Sequence, residues 1–260
     1  MKAEKTAILF KGLEFNYGPV SSFSLEGLTL EIPGCAVTAL LGPNGSGKTT
    51  VLHLLMGLLR AKSGTISLYG RPRDEYPARD LRQIIGFVPQ DEEIPFDLSL
   101  LEYVLLGRAP HLGLLELPGE RDHEIAGDSI DTTGLSALRF RSVPSMSGGE
   151  RQMASIARAL AQGTEILLLD EPTSHLDIAN TRRVLDLMRR LSRMDKTVIF
   201  TTHDPNAAAS IADYVVLLRK GIVLNAGPLR SILTSRNLSM TYGTEVQVLD
   251  RAERPVVLVP

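Results

Sequence analysis

The sequence predicts an α/β fold, with a mostly parallel core sheet, an antiparallel β subdomain before it and an inserted α-helical subdomain. Three observations predict it. Short apolar runs that read as strands alternate with helical patterns. A glycine-rich segment, "GPNGSGKTT", stands between one such strand and a helix. From about residue 91 to 162 the texture changes to leucine-rich helices broken by Gly and Pro.

Taken in order, "AILFKGLEFNYG" and "FSLEGLTLEIPG" are β-rich runs bounded by turn signals, an antiparallel edge that leads into a buried strand from Ala36 to Leu41. "KTTVLHLLMGLL" has apolar residues at helical spacing and is closed by the turn "RAKSG". "TISLYG" and "IIGFVPQ" read as two further strands. Beyond the helical stretch come a strand "EILLLD", a helix from about Ile178 to Met194, a strand "TVIFTTH", and a tail with a small helix and strand.

Bulk properties narrow the function. A chain of 260 residues, 43% hydrophobic and 22% charged, buries a sizeable core. A formal net charge of −2 provides no global basic field for nucleic acid. The arginines at 182, 183, 189, 190 and 193 therefore read as a solvated helix face. The single cysteine, Cys35, rules out an internal disulfide framework, suits a reducing compartment and reads as core filler. The first fifteen residues lack the apolar stretch of a signal peptide. Runs such as "VLHLLMGLL" fall far short of the roughly 20 residues that span a bilayer.

Gly42-Pro43-Asn44-Gly45-Ser46-Gly47-Lys48-Thr49 fits the phosphate-binding pattern G-x-x-x-x-G-K-[ST], and Thr50 follows it. Its glycines let backbone N–H groups approach phosphates at a helix N-terminus. Lys48 reaches the β- and γ-phosphates and the Thr49 hydroxyl ligates Mg²⁺. A second Mg²⁺-side group is expected at the carboxyl end of a buried strand, and "ILLLDE" places Asp170 there. Glu171 beside it is the candidate for polarising the attacking water. A solvated acidic pair before a proline turn is the alternative.

The stretch "SMSGGERQ" raises a separate question. Ser147-Gly148-Gly149-Glu150 fits the capping box S-x-x-E and leads into an apolar face of Met153, Ile156, Ala157 and Leu160. A cap does not require two glycines, each of which costs roughly 0.5–1 kcal/mol relative to alanine. Both readings stand together: a capped helix whose bare N-terminus faces phosphate. Since the first glycine-rich loop already wraps its own nucleotide, the second serves the nucleotide of another copy.

With these residues in place the chain resembles the ATP-binding cassette (ABC) ATPase subunits over nearly its whole length. Ser147, Gly148 and Gly149 resemble the family signature LSGGQ, with Met146 and Glu150 departing from its first and fifth positions. The resemblance implies a P-loop, RecA-like nucleotide-binding core with its β subdomain over residues 1–90 and 163–235, a helical subdomain over 91–162 and a tail over 236–260. It further implies that two copies pack head to tail and sandwich two ATPs with Mg²⁺, each between one P-loop and the other copy's signature. Gln90 resembles the Q-loop glutamine, at Mg²⁺ or water. His203 resembles the switch histidine at the γ-phosphate, and "SHLD", ending at Asp177, resembles the loop that crosses the dimer interface. Tyr17, 25 residues before Gly42, stands where the family places an aromatic that stacks on adenine. A packed strand tyrosine is its plainer reading.

"PFDLSLLEYVLLGRAPHLG" and "LSMTYGTEVQVL" are similar to the importers of iron-siderophores, haem and cobalamin, and molybdate or tungstate importers share much of the pattern. That likeness implies that the chain lies at the cytoplasmic face of the cell membrane, attached through a transmembrane permease that works with an extracytoplasmic solute-binding protein. It makes Phe96, Leu98, Val104 and Arg108 permease-contact candidates. Nucleic acid is not expected as a partner because the net charge is slightly negative. A soluble ABC ATPase, such as one serving iron–sulfur cluster assembly, shares every nucleotide motif. A P-loop kinase or GTPase would leave "MSGGE", Gln90 and His203 without roles.

Overall fold

The computed structural model describes residues 6–18, 23–94, 96–113, 115–251 and 253–259, so the first five residues of the N-terminal reading lie outside it. The elements in chain order are β1 (Thr6–Asn16), β2 (Ser24–Pro33), β3 (Val37–Leu41), α1 (Lys48–Met56), β4 (Ser63–Leu68), β5 (Arg71–Pro72), α2 (Ala78–Ile84), β6 (Ile85–Val88), α3 (Leu100–Leu105), α4 (Glu120–Thr132), α5 (Gly148–Ala161), β7 (Ile166–Leu169) and α6 (Ile178–Arg193). There follow β8 (Thr197–Thr202), α7 (Pro205–Ile211), β9 (Tyr214–Arg219), β10 (Ile222–Pro228), α8 (Leu229–Ile232), α9 (Ser235–Tyr242), β11 (Gln247–Leu249) and β12 (Val256–Leu258).

The chain forms two compact units, Met1–Tyr76 with Met188–Pro260, and Pro77–Leu187. Residue texture put the change at 91 and 162. The second unit is larger than that because α2, β6 and β7 belong with the helices.

In the first unit an antiparallel sheet runs in the order β2-β1-β4-β5. Alternation sets its inner face: Leu28, Leu30 and Ile32 of β2 are buried while their neighbours are exposed or half-exposed. "TISLYG" joins this sheet, pairing antiparallel with β1 through Phe10 and Ile66. The same unit holds a run in the order β10-β9-β3-β8, with β3 parallel to both β8 and β9. Every residue of β3 and β8 is buried, as strands covered on both faces require.

The second unit contains the parallel pair β6 and β7, in register Val88 to Leu169. Its helices α3, α4 and α5 pack on one another around Leu100, Tyr103, Val104, Ile130 and Ile156.

Three expectations need correction. Helix α1 stops at Met56, short of the predicted turn, because Gly57 takes a left-handed conformation and its N–H returns to Leu54 and His53. Cys35 is exposed, with φ 53°, and its thiol donates to the Asp195 carbonyl at 3.4 Å, so it is not core filler. The tail is richer than one helix and one strand. Thr234 caps α9, Gly243 ends it in a left-handed turn, and the chain returns as the β11–β12 hairpin.

Candidate functional site

In the first unit, the P-loop and His203 leave the carboxyl ends of adjacent parallel strands. Leu41 pairs with Thr202, and the Gly42 N–H donates to the Thr202 carbonyl at 3.4 Å. This is the end of a parallel sheet where ligands bind. The loop closes with Ser46 N–H donating to Pro43 O at 3.2 Å, while Asn44 and Gly45 are exposed. Gly47 begins α1 at φ 102°, and a Cβ there would lie 2.6 Å from Phe23 Cζ, so only glycine fits. Among the described residues no side chain caps α1, and a helix start of this kind is where backbone N–H groups meet anions.

The Lys48 ammonium donates to Gly42 O at 2.9 Å and Pro43 O at 3.2 Å, and the side chain is buried. Ser46 Oγ is buried with no hydrogen-bond partner among the described residues. An uncapped helix start, a buried hydroxyl without a partner and an enclosed ammonium together fit a polyphosphate. Thr49 is half-buried. Thr50 is buried, and its hydroxyl is paired with the Tyr17 hydroxyl at 2.9 Å. Tyr17 stands edge-on to Phe15, with centroids 4.8 Å apart, yet its residue is 54% exposed. Its ring is thus anchored to the P-loop helix while the residue stays more than half exposed.

In the second unit, Gln90 and the acidic pair also share one end of a parallel pair. The Asp170 N–H donates to Val88 O at 2.9 Å, two residues before Gln90. Asp170 is buried and Gln90 is exposed. Glu171 takes φ 43°, a left-handed backbone that a non-glycine residue adopts at a cost of order 1 kcal/mol or more. Ser174 holds it there by donating from both N–H and hydroxyl to the Glu171 carbonyl, at 3.0 and 2.9 Å. Strain of this kind clusters at sites that need a side chain aimed. The Asp177 carboxylate accepts from Asn180 N–H and Nδ2, each at 2.8 Å, and so caps α6.

Ser147 caps α5, accepting from Glu150 N–H at 3.3 Å, while the Glu150 carboxylate accepts from Ser147 N–H at 2.8 Å. The Ser147 N–H bond, aided by the Ser147 hydroxyl and by Arg141 and Arg183, holds the Glu150 carboxyl below its ordinary range. This accounts for an acid at the fifth signature position: its charge is used inside the cap. Met146 is 3% exposed and fills the core at the first position. The two glycines differ. A Cβ on Gly149 would lie 2.3 Å from Asn180 Cγ, whereas nothing stands within 4 Å of one on Gly148. Packing therefore requires Gly149, and only the open N-terminus at Ser147 and Gly148 faces outward.

A family model described as ABC transporter matches residues 25–174. The chain belongs to the ABC transporter family. It is 39% identical over 237 residues to the molybdate import ATP-binding protein MolC of Haemophilus influenzae, covering 91% of this chain and 88% of that one. It is 34% identical over 237 residues to the iron(3+)-hydroxamate import ATP-binding protein FhuC of Bacillus subtilis, covering 90% and 88%. A chain of an inward-facing ABC transporter described as of metal-chelate type superposes with a TM-score of 0.85 at 36% identity, covering 97% of this chain and 96% of that one. This ABC subunit has the family's mixed α/β ATPase fold, binds ATP and is an ATP-hydrolysing translocase component.

Two features of this ABC ATPase were not legible beforehand. Glu92 follows Gln90 by two residues and accepts from the Tyr103 hydroxyl of α3, from Ser155 Oγ of α5 at 3.2 Å, and pairs with Arg158 of α5 at 3.1 Å. It ties the Q-loop to the signature helix through partners 11 to 66 residues away. Asn180 was also missed, although its spacing from Asp177 signals a cap. Of the permease-contact candidates, Phe96 is 67% exposed and Leu98 half-buried. Val104 is 0% exposed, and Arg108 is buried, paired with Asp122 at 2.8 Å and donating to Ala161 O. Burial removes both from any partner surface. Among the described residues, no helix is long and apolar enough to cross a membrane.

Proposed function

We propose that this chain energises an ABC importer for a metal chelate of the iron-siderophore, haem or cobalamin class, working as a head-to-tail pair of copies on the cytoplasmic face of a membrane permease that an extracytoplasmic binding protein supplies. The observation that carries the ATPase part is the Lys48 ammonium held in a P-loop whose helix start has no side-chain cap among the described residues. Lys48 and the loop from Gly42 to Thr50 bind the phosphates, and Tyr17 stacks on adenine. Thr49, Gln90 and Asp170 are the residues that would hold Mg²⁺, which would neutralise charge on the phosphate oxygens. Glu171 accepts a proton from water as its oxygen bonds to the γ-phosphorus and the bond to the ADP oxygen breaks. His203 stabilises the charge on the γ-phosphoryl oxygens.

Ser147 and Gly148 complete the site of the other copy, with Asp177 and the 91%-exposed Ile178 at the joint between copies. ATP closes the pair because it touches both copies only in the closed state, and moving a 1:99 balance to 99:1 takes about 5.5 kcal/mol of such preference. Metal-chelate cargo rests on the likeness to FhuC and to the metal-chelate type transporter. Molybdate is the second reading, favoured by the higher identity to MolC.

The test is affinity purification of the Glu171→Gln chain with ATP and Mg²⁺ from detergent-solubilised cells. A polytopic membrane protein in matched amounts supports the importer, and its binding protein then reveals the cargo. Recovery of soluble proteins only, from preparations that retain other membrane complexes, favours the soluble ATPase.

A further inference from the structure

We propose that the C-terminal tail is a brace for the switch-histidine loop, with Tyr242 as a positioning residue for His203. This rests on the γ-phosphate role proposed for His203. The Tyr242 hydroxyl donates to the His203 carbonyl oxygen at 2.8 Å, 39 residues away in sequence. Three residues further on, Asn206 is gripped by the same tail. Its Nδ2 donates to Val257 O at 2.9 Å, and its Oδ1 accepts from Val257 N–H at 2.9 Å. At the far end of α7, Arg254 donates to Ala212 O and stands 4.0 Å from Asp213, whose carboxylate accepts from the Val37 N–H of β3 at 2.9 Å. The tail thus holds both ends of α7 and the segment that carries the histidine.

Both grips are set on fixed ground. Helix α9 is capped by Thr234, ended by Gly243 at φ 73°, and anchored by Leu238 and Thr241, each 0% exposed. Val257 is 4% exposed and pairs with Val248 across the hairpin. The loop's own bonds are short-range: Asp204 N–H donates to Thr202 Oγ1 at 3.0 Å, and Asn206 N–H donates to Asp204 Oδ1 at 2.8 Å. They fix the turn into α7, and the Asp204 N–H bond holds one side of the His203–Asp204 peptide, whose carbonyl side the tyrosine hydroxyl holds. The tyrosine adds a long-range constraint, from an element 39 residues away in the chain, to these local ones. A side chain that must meet a γ-phosphoryl oxygen in the transition state loses rate when its backbone is loosened, without losing ground-state affinity.

Tyr242→Phe removes one oxygen and leaves the packing. In steady-state ATPase assays on the full chain with Mg-ATP, we expect kcat to fall about fivefold, the worth of one neutral hydrogen bond, with KM within about twofold and Tm nearly unchanged. Asn206→Ala should act in the same direction. The decisive comparison repeats Tyr242→Phe in a His203→Ala background, read by single-turnover hydrolysis at stoichiometric enzyme, where it should change nothing further. An unchanged kcat for Tyr242→Phe in a protein that His203→Ala impairs overturns the brace. So does an equal fall in both backgrounds, which marks a general folding role. If His203→Ala itself turns over normally, the proposed role of His203 fails and the brace falls with it.

Discussion

Gly148 and Gly149 adjoin in the chain but differ in what an added methyl group meets. Gly149→Ala places a carbon against Asn180 Cγ. The expected outcome is a loss of about 1–3 kcal/mol of stability, as for other overpacked sites, recovered in part by pairing it with Asn180→Ala. Gly148→Ala has open space and should keep or slightly raise Tm while lowering ATP turnover. Thermal unfolding of the three variants beside phosphate release checks both. At the acidic pair, Glu171→Gln should retain ATP binding and lose at least about a hundredfold in turnover, the scale of a missing general base. Near-normal turnover would remove Glu171 from that role. Glu171 was legible from its place after a buried strand, but its left-handed backbone was not, because Ser174 imposes it by closing a turn on the Glu171 carbonyl.

Helices α3 and α5 start with the same device. Ser99 and Glu102 form one capping box, Ser147 and Glu150 the other. Glu102 is held below its ordinary range by hydrogen bonds from the Ser99 hydroxyl and N–H, and Glu150 by those of Ser147. Folded values below the unfolded one mean that both contributions are fully present above about pH 4.3 and disappear as pH falls through the folded values. Melting temperature followed from pH 6 to pH 3 should therefore drop, and Glu150→Gln should flatten part of the drop. Equal slopes for the variant and the parent chain would show that the cap does not titrate. The S-x-x-E spacing made the second cap legible. The paired carboxylates and arginines of the helical unit were not, since Arg108 meets Asp122 and Glu92 meets Arg158 only after α3, α4 and α5 pack.

For the whole molecule, the head-to-tail pairing predicts complementation between two inactive chains. Lys48→Ala disables a chain's own P-loop and Ser147→Arg disables what it offers to a partner. Mixed in equal amounts, about half of the pairs combine one of each chain and contain one intact site. ATP turnover should therefore reappear on mixing, and the assay is phosphate release from the separate and mixed preparations. If the mixture stays as inactive as its parts, each signature does not serve the other copy's nucleotide.

Three features were legible in the sequence: the glycine-rich loop from Gly42 to Thr50 between β3 and α1, the place of Asp170 and Glu171 after β7, and the capped start of α5. Each is a local pattern whose chemistry is written in adjacent residues, where backbone periodicity and one helix start decide the outcome. Tertiary structure alone decided that Gly149 yields space to Asn180, that Val104 and Arg108 are buried, that Cys35 is exposed, and that Tyr242 reaches His203. These depend on contacts between residues far apart in the chain, and no spacing within a window of one helix or strand encodes which distant side chain fills a given volume or meets a given carbonyl.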